Sequence, residues 1–408
     1  MTLHGHHNRS GARRPKWGGD DGGRATVGSV VVLRPTTAQV VRPEWAASVV
    51  GPAYDSLRPA ERRQLAAANP TSFFNVVRSP ADEDADGGGV LDAAADALEG
   101  LLASCYGDPT EALFLYRLRS AHHEQATVTA DVPTAAVLEG VVRPHERTRT
   151  AKEDELTRHL RRLRMNSSPV GLTYRPSARI DAVVARELRR PPMLDFSSID
   201  GVHQTVWALG DGPTGELLDA FTEVSTAYIV DGHHRVAATR RAGAPAFLAS
   251  LIPTDQLHLL PYHRLVGLVP PVTRDRLVEA VGAVRASPAE APGRPGTVLL
   301  RADQRWWHFE LSVEEGRRLD VAALEEDVLV GVLGILDPRT DPRLDVVPGH
   351  LDLARLAQLA DEGEGVAFAL HPPTVAQLMV EADAGRTLPP KSTWFEPKLR
   401  SGVFVVRR

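Results

Sequence analysis

The sequence predicts an α/β (α+β) protein, because short apolar runs of strand length alternate with helical segments, most clearly over residues 128–262. A second observation is the strand–turn–helix pattern of residues 227–239. There an apolar run ends at Asp231, Gly232 permits a sharp turn, and a helical pattern continues to Gly243. With 408 residues, 43% of them hydrophobic and 24% charged, the chain is expected to fold as two or three globular domains or subdomains.

Composition limits the partners and the chemistry. The formal net charge is -5, so bulk electrostatics does not attract nucleic acid. Cys105 is the sole cysteine, which excludes an internal disulfide and a cysteine-rich zinc site. Apolar runs all fall short of the roughly 20 residues of a membrane span, and the N-terminus has no apolar signal region. We therefore expect a cytoplasmic protein with no membrane partner, for which a nucleic-acid partner is not expected.

Changes in composition divide the chain into segments. The predicted segments are a disordered arm over residues 1–29, an N-terminal subdomain over 30–107, a core over 108–265 and a C-terminal α/β subdomain over 266–408. The histidines of the arm (His4, His6 and His7) are interpreted as a solvated tail rather than as a metal site. A strand is predicted at residues 30–33, and the Pro- and Gly-rich residues 287–296 are predicted to link subdomains.

Periodicity places the secondary structure elements. In the first two thirds of the chain, helices are predicted over residues 59–68, 91–105, 151–164, 180–189 and 217–224, and strands over 112–117, 125–130, 170–174, 201–209 and 245–252. Further on, helices are predicted near 274–285, 321–328, 350–361 and 374–384, and strands near 297–302, 305–311, 342–347 and 365–370. The single Gly-x-Gly-x-x-Gly match, residues 210–215, is interpreted as a plain turn because Pro213 removes a backbone donor.

The turn Asp231-Gly-His-His-Arg235 predicts a phosphate site. A helix N-terminus presents free backbone N–H groups, and here Gly232, His233, His234 and Arg235 would bind the phosphates, with the arginine in a bidentate grip. Asp231 would orient a histidine, accept a proton or hold Mg²⁺. The alternative is that Asp231 caps the helix and both histidines are polar packing. The position of the whole motif, between a clear strand and a clear helix, favours the phosphate site.

Glu146 is the candidate general base. It follows Pro144 and His145 at the start of the amphipathic helix predicted over residues 151–164, where it would deprotonate an acceptor hydroxyl. A carboxylate favoured by the helix dipole is the simpler interpretation of Glu146 alone. Its combination with the phosphate turn favours catalysis.

A second group of polar residues predicts a substrate or second anion site. Prolines stiffen the stretch 388–398, which combines cationic and hydroxyl side chains with Trp394 and Phe395. The alternative is a packed loop anchored by the two aromatic residues. The residues predicted for this site are His145, His263, Arg264, Lys391, Ser392 and Thr393.

These motifs, in this order, resemble the domain-of-unknown-function 1015 family over nearly the whole chain from about residue 30. The tail and the Asp-Gly-His-His-Arg turn are the most specific matches. Departures from the expected pattern are Ala53, Glu155, Leu388 and Trp394, which concern the substrate more than the phosphate site. The matching stretches are Tyr54-Asp55, Asn69-Pro-Thr-Ser-Phe73, His145-Glu-Arg-Thr148 with Lys152 and Asp154, Ser168-Pro169, Asp200-Gly-Val with Trp207, Asp231-Gly-His-His-Arg235, Pro261-Tyr-His-Arg264 and Pro389-Pro-Lys-Ser-Thr-Trp-Phe-Glu-Pro-Lys398.

The central part of that family resembles the fold shared by free L-serine kinases, sulfiredoxin and ParB-type partition proteins. The resemblance implies a ParB/sulfiredoxin-like nucleotide-binding core with an N-terminal extension. In the kinases a Pro-His-Glu stretch precedes a helix and Asp-Gly-His-His-Arg follows, which implies Glu146 as the base and residues 231–235 as the phosphate cradle.

The sequence-based hypothesis is a small-molecule kinase. It would transfer a phosphoryl group from ATP, ADP or another nucleotide, with Mg²⁺ at Asp231, to the hydroxyl of L-serine or a similar metabolite. Its catalytic residues would be Glu146, Asp231 and His234. A non-catalytic nucleotide-binding switch or partner-binding protein and a nucleoside triphosphatase are the alternatives. A homodimer is left open.

Overall fold

The computed structural model describes residues 30–78, 89–270, 272–287, 291–313, 318–338, 340–363, 365–389 and 391–408. The arm predicted over residues 1–29 lies outside the described residues. Within them, the mixed α/β class is confirmed by strands and helices that alternate along the chain. The ParB/sulfiredoxin-like core and the division into four segments stay predictions.

The described elements follow in chain order. The first part contains β1 (Thr36–Val40), α1 (Pro43–Val49), α2 (Pro59–Ala68), α3 (Val90–Cys105) and β2 (Thr110–Ala112). The middle part contains β3 (Phe114–Arg119), β4 (Glu124–Pro133), α4 (Ala135–Leu138), β5 (Val142–Arg143), α5 (Thr150–Leu163), β6 (Met165–Asn166), β7 (Val170–Tyr174), α6 (Ala178–Glu187), β8 (Leu194–Ser197), β9 (His203–Ala208), α7 (Asp211–Phe221), β10 (Ala227–Asp231), α8 (His233–Arg241) and β11 (Ala246–Pro253). The last part contains β12 (His258–Val266), α9 (Arg274–Ala280), β13 (Val284–Arg285), β14 (Thr297–Ala302), β15 (Arg305–Glu310), α10 (Asp320–Ala323), β16 (Leu344–Pro348), α11 (Leu353–Glu362), β17 (Val366–Ala369), α12 (Val375–Asp383), β18 (Thr393–Glu396) and β19 (Phe404–Arg407).

The central sheet has the strand order β5-β10-β7-β11-β4-β3-β9-β8. Every residue of β7 and β11 is buried, so this sheet is covered on both faces. One face packs against α6 and α7 through Ile180, Leu217 and Phe221, each of them fully buried. Burying such a side chain stabilises the fold by roughly 1.5–3 kcal/mol. The sheet therefore holds β10, the strand that leads into the candidate site, in a rigid layer.

Two further sheets flank the central one. The first has the order β2-β1-β19-β6, so the first and last described strands are neighbours. The second has the order β13-β15-β14-β17-β12-β16, and β18 also pairs with β12. Tyr228 and Val230 of β10 pack against Leu378 and Met379 of α12 and Phe395 of β18. The last part of the chain is thereby fixed against the strand that ends at Asp231.

Most predicted elements are confirmed, and two of them, residues 59–68 and 170–174, coincide with α2 and β7. Three predictions are wrong. Residues 30–33 are not a strand, although the Val31 N–H donates to the Val224 carbonyl. The Gly-x-Gly-x-x-Gly stretch begins α7 at Asp211, because a proline is accepted in a first helical turn, where N–H groups have no helical partner.

The third correction concerns residues 287–296. They connect β13 and β14, which belong to one sheet, so the stretch does not link subdomains. Residues 288–290 of it lie outside the described residues. No helix in the described part of the chain is both long and apolar enough to span a membrane.

Candidate functional site

A cleft of about 1280 Å³ lies at the carboxyl end of β10 and gathers most of the predicted site residues. The end of β10 and the start of α8 contribute residues 231–235. The turn before α5 contributes Glu146, α5 contributes Lys152, and the tail contributes Lys391 and Lys398. Tyr54 and Asp55 from the first part of the chain also line it. The cleft thus brings together motifs that are far apart in the sequence.

Gly232 forms the sharp turn between β10 and α8. Its φ of +94° is a conformation that side chains other than glycine disfavour. A Cβ at this position would also lie 2.9 Å from the Arg235 guanidinium carbon. No side chain caps the start of α8, so its first N–H groups remain available to an anion.

Asp231 is held by two cations. Its carboxylate accepts a hydrogen bond from Arg235 Nη2 at 2.6 Å and another from Lys398 Nζ at 3.1 Å, one at each oxygen. Burial alone raises the pKa of Asp231, but Lys398 and Arg235 outweigh it and hold the pKa well below its usual range. Each oxygen already accepts one hydrogen bond, so a magnesium ion would share Asp231 with Lys398 and Arg235, and the role of Asp231 as a metal ligand stays a prediction.

Arg235 lines the cleft, but its guanidinium binds protein. Nη1 donates to the carbonyls of Ser168 at 2.7 Å and Pro169 at 2.6 Å, while Nη2 donates to Asp231. The predicted bidentate grip on a phosphate would have to replace these bonds. Arg235 instead fixes the residues after β6 against the phosphate turn.

His233 is buried against His145. The His145 backbone N–H donates to His233 Nε2 at 3.3 Å, and the two rings meet edge to face with centroids 4.5 Å apart. Burial lowers the pKa of His145 to about 4. Burial and the neighbouring His145 lower the pKa of His233 well below its usual range. Both rings are therefore neutral at physiological pH, as metal ligands or hydrogen-bonding groups require.

His234 connects the phosphate turn to the start of α5. The Arg149 backbone N–H donates to His234 Nε2 at 3.0 Å. Burial, with the nearby cations Arg149 and Lys391, lowers the pKa of His234 to about 4. With Nε2 accepting, the proton of the neutral ring is on Nδ1, which leaves one donor for a ligand.

Glu146 is the carboxylate in the cleft that lacks a protein partner. No hydrogen bond or ion pair to it is found among the described residues, although Lys391, Lys398 and Asp231 lie close enough to influence its charge. Burial raises the pKa of Glu146 above its ordinary value, and the two lysines act in the opposite direction. A half-buried, unpartnered carboxylate with a raised pKa is suited to accept a proton.

The tail places its residues unequally. Lys391 enters the cleft, with Nζ 3.3 Å from the Tyr262 hydroxyl. Thr393 lines the same cleft and lies 3.4 Å from His145 Nε2. Ser392 donates to the Pro389 carbonyl and lines a separate small cavity beside Asp320. Two of the three predicted tail residues therefore reach the site.

His263 and Arg264 were predicted together, but the structure separates them. They are adjacent on β12, so their side chains point to opposite faces. Arg264 lines the cleft and donates from Nη1 to the carbonyls of Tyr262 and Lys391. His263 accepts from the Leu370 N–H at 3.2 Å and is not among the residues lining the cleft. Its predicted place in the substrate site is therefore not supported by the geometry.

Sequence reasoning missed Lys398 as a site residue. Its Nζ bridges the carboxylates of Asp55, at 2.9 Å, and Asp231, at 3.1 Å, and lies 4.4 Å from the Trp394 ring centre. Burial lowers the pKa of Lys398, but Asp231 and Asp55 raise it by more, so the pKa lies above its ordinary value. The sequence did offer a sign of this role, because the tail motif ends at Lys398.

Glu146 and His233 line the cleft, whereas the predicted substrate-site residue His145 is buried and is not among the lining residues. Together the three side chains offer donors that a metal ion uses. One ring nitrogen of His145, one of His233 and a carboxylate oxygen of Glu146 all lie within 4.8 Å of one another. Two imidazoles and a carboxylate are a common donor set for transition metal ions.

Together, the mixed α/β fold and a charged cleft at an uncapped helix N-terminus define a candidate anion-binding protein. The chain belongs to the family described as "Protein of unknown function (DUF1015)", whose model matches residues 33–326. No curated protein matches the sequence.

Distant similarity to solved structures is also found. A free serine kinase in complex with AMP is 14% identical, with 66% of this chain and 86% of that chain covered and a TM-score of 0.36. SbnI with C-terminal truncation from Staphylococcus aureus is 11% identical, with 66% and 82% covered and a TM-score of 0.37. A conserved hypothetical protein from Pyrococcus furiosus is 14% identical, with 69% and 94% covered and a TM-score of 0.37. These similarities are too distant to assign a fold or an activity to this chain.

Proposed function

We propose that the protein is a nucleotide-dependent phosphotransferase that acts on the hydroxyl of a small amino acid such as L-serine or a similar metabolite. The observation that carries this proposal is the position of Glu146. Its carboxylate has no partner among the described residues, and it lines the same cleft as the uncapped start of α8. A base and an anion site that share one cleft are the minimum that phosphoryl transfer to an alcohol requires.

The phosphoryl donor binds at the start of α8. The free N–H groups of the first turn and the Nδ1 donor of His234 hold phosphate oxygens, and the helix dipole favours their negative charge. Lys391, which enters the cleft near Glu146, neutralises charge that develops on the transferred group. The nucleotide is ATP or ADP, in keeping with the resemblance of the two motifs to those of serine kinases.

The acceptor binds between Glu146 and the phosphate. Glu146 takes the hydroxyl proton as the acceptor oxygen forms its bond to the terminal phosphorus, and the bond between that phosphorus and the remaining nucleotide breaks. The shortened nucleotide leaves with the bridging oxygen. Mg²⁺ would supply charge neutralisation to such a reaction, with Asp231 as its predicted ligand beside Lys398 and Arg235, and no step is routed through that ion.

The test is nucleotide consumption by the purified chain with Mg²⁺, with and without hydroxy amino acids led by L-serine. Glu146→Gln and His234→Ala are compared with the unaltered chain. Glu155→Gln serves as the matched control, because Glu155 lines the same cleft but pairs with Lys152 at 2.7 Å. We expect acceptor-dependent turnover that falls by about 10²–10⁴-fold in Glu146→Gln and is largely kept in Glu155→Gln.

Two outcomes would reject the phosphotransferase. Nucleotide binding without turnover, unchanged in Glu146→Gln, would indicate a switch or partner-binding protein. Nucleotide hydrolysis at the same rate with and without every acceptor would indicate a nucleoside triphosphatase.

A further inference from the structure

Two residues that line the cleft and one buried histidine beside them offer donors that the phosphate site does not use. They belong to His145, Glu146 and His233, and one donor atom from each lies within 4.8 Å of the others. Two donors bound to one tetrahedral zinc ion at about 2.0–2.2 Å are roughly 3.3–3.6 Å apart. Each pair of donor atoms therefore needs to approach by at most about 1.5 Å to share an ion.

His145 is the best defined of the three. Its side chain is buried, with 1% of the residue exposed, and its Nδ1 makes no well-formed hydrogen bond, although the backbone of Ile229 lies close enough to the ring to act against burial on its pKa. Its other nitrogen, Nε2, lies 3.4 Å from the Thr393 hydroxyl. When Nε2 carries the proton and donates to Thr393, Nδ1 presents a free lone pair. A histidine ligand held through its second nitrogen is the arrangement that metal sites use to orient imidazoles.

Glu146 and His233 complete the set. The Glu146 carboxylate has no hydrogen-bond or ion-pair partner among the described residues, so neither oxygen must be released from the protein. His233 Nε2 accepts one long bond, of 3.3 Å, from the His145 N–H. An ion at that nitrogen would replace this one long bond.

We propose that His145, Glu146 and His233 bind one divalent transition metal ion, of the class of Zn²⁺, Mn²⁺ or Co²⁺. Two imidazoles and one carboxylate favour these ions over Mg²⁺, which prefers oxygen ligands. Asp231, by contrast, is occupied by Lys398 and Arg235. We therefore place this ion at His145, Glu146 and His233 rather than at Asp231.

The position of the ion suggests its use, and this part rests on the proposed function. His233 is the first residue of α8, so the ion lies beside the N–H groups that receive the phosphate. Three protein ligands leave coordination positions for a phosphate oxygen of the nucleotide. One oxygen of Glu146 binds the ion, and the second remains to accept the acceptor proton.

The binding test needs neither nucleotide nor turnover. The full chain is stripped with a chelator and then titrated with Co²⁺, whose visible absorption reports ligand number and geometry, and with Zn²⁺ by calorimetry. His145→Gln removes a ligand, and Thr393→Val removes only its hydrogen-bond partner. A variant with His4, His6 and His7 changed to Ala excludes binding by the arm, and circular dichroism checks the fold of each variant.

We expect one ion per chain, with Zn²⁺ favoured over Mg²⁺ and unaffected in the arm variant. Affinity should fall by at least about tenfold in Thr393→Val and further in His145→Gln. Metal binding that is unchanged in both folded variants, or that disappears in the arm variant, would overturn the inference.

Nucleotide turnover is measured separately on the same samples. Turnover that persists after the ion is stripped would leave the proposed function and remove only the role of the ion in it. Ion binding without turnover would leave the metal site and remove the proposed function.

Discussion

Lys398 lies 3.1 Å from the carboxylate of Asp231, although 167 residues separate the two in the sequence. It also contacts Asp55, so one ammonium group joins the first part of the chain, the phosphate turn and the tail. Replacing Lys398 with Met leaves both carboxylates without this cation. We expect the free energy of unfolding to fall by roughly 2–4 kcal/mol, measured by urea denaturation.

Lys152→Met is the matched control for that change. Lys152 pairs with Glu155 one helical turn away, and both side chains are partly exposed. Such a pair contributes about 0–1 kcal/mol. An equal loss of stability in both variants would show that Lys398 contributes no more to the free energy of unfolding than a partly exposed ion pair does.

Gly232→Ala tests the turn itself. The substitution combines an unfavourable positive φ with a Cβ placed 2.9 Å from the Arg235 guanidinium. A positive φ alone costs about 1–2 kcal/mol, so we expect a larger loss of stability and weaker nucleotide binding, measured by thermal denaturation and calorimetry. Gly140→Ala isolates the first effect, because Gly140 has a φ of +72° and open space around its missing Cβ. Equal losses in the two variants would contradict the contact with Arg235.

His263 should make the protein sensitive to acid. Burial, with the neighbouring Arg264, lowers the pKa of His263 from 6.5 to about 4. Between these values the unfolded chain binds the proton and the folded chain does not, so the free energy of unfolding falls as the pH falls. Each pKa unit corresponds to about 1.4 kcal/mol, which gives a loss of about 3 kcal/mol across the window.

His263→Asn removes this titration and keeps an acceptor for the Leu370 N–H. Denaturation curves over a series of pH values should show a smaller acid slope for this variant. The exposed His122 provides the control His122→Asn, which should keep the wild-type slope. A wild-type slope in His263→Asn would exclude His263 as the source.

Glu146 should destabilise the protein when it ionises. Because burial raises its pKa above 4.5, the folded chain holds the proton to a higher pH than the unfolded chain does. The stability that the protonated Glu146 contributes is therefore fully present below 4.5 and is lost as the pH rises through the folded pKa. With a chelator present, Glu146→Gln should match the wild type in acid and be more stable at neutral pH, as measured by denaturation. Glu139→Gln, at an exposed position, should show no such divergence.

Local patterns predicted the elements well. Pro59 and the Asn69-Pro70 pair bracket α2, and the apolar run before Asp231 identified β10, because start and stop signals are local. The same holds for Gly232, whose need for a positive φ follows from a strand that turns directly into a helix.

Contacts between distant residues were not predictable in this way. Nothing near Asp231 in the sequence shows that Lys398 occupies one of its oxygens, and the role of Arg235 depends on the carbonyls of Ser168 and Pro169. The separation of His263 from Arg264 could have been predicted from the sequence, since the side chains of neighbouring residues on a strand point to opposite faces. Motif identity located the site residues, whereas their partners required the fold.

The pairing of β1 with β19 also bears on how the protein is made. Gln39 lies opposite Val405, and Val40 lies opposite Phe404. At roughly 5–20 residues per second, a ribosome needs roughly tens of seconds to make the chain between these strands. Until then, one edge of β1 exposes unpaired backbone groups, the feature through which strands of different nascent chains associate. The pairing of this edge of β1 is therefore among the last contacts that the chain can form.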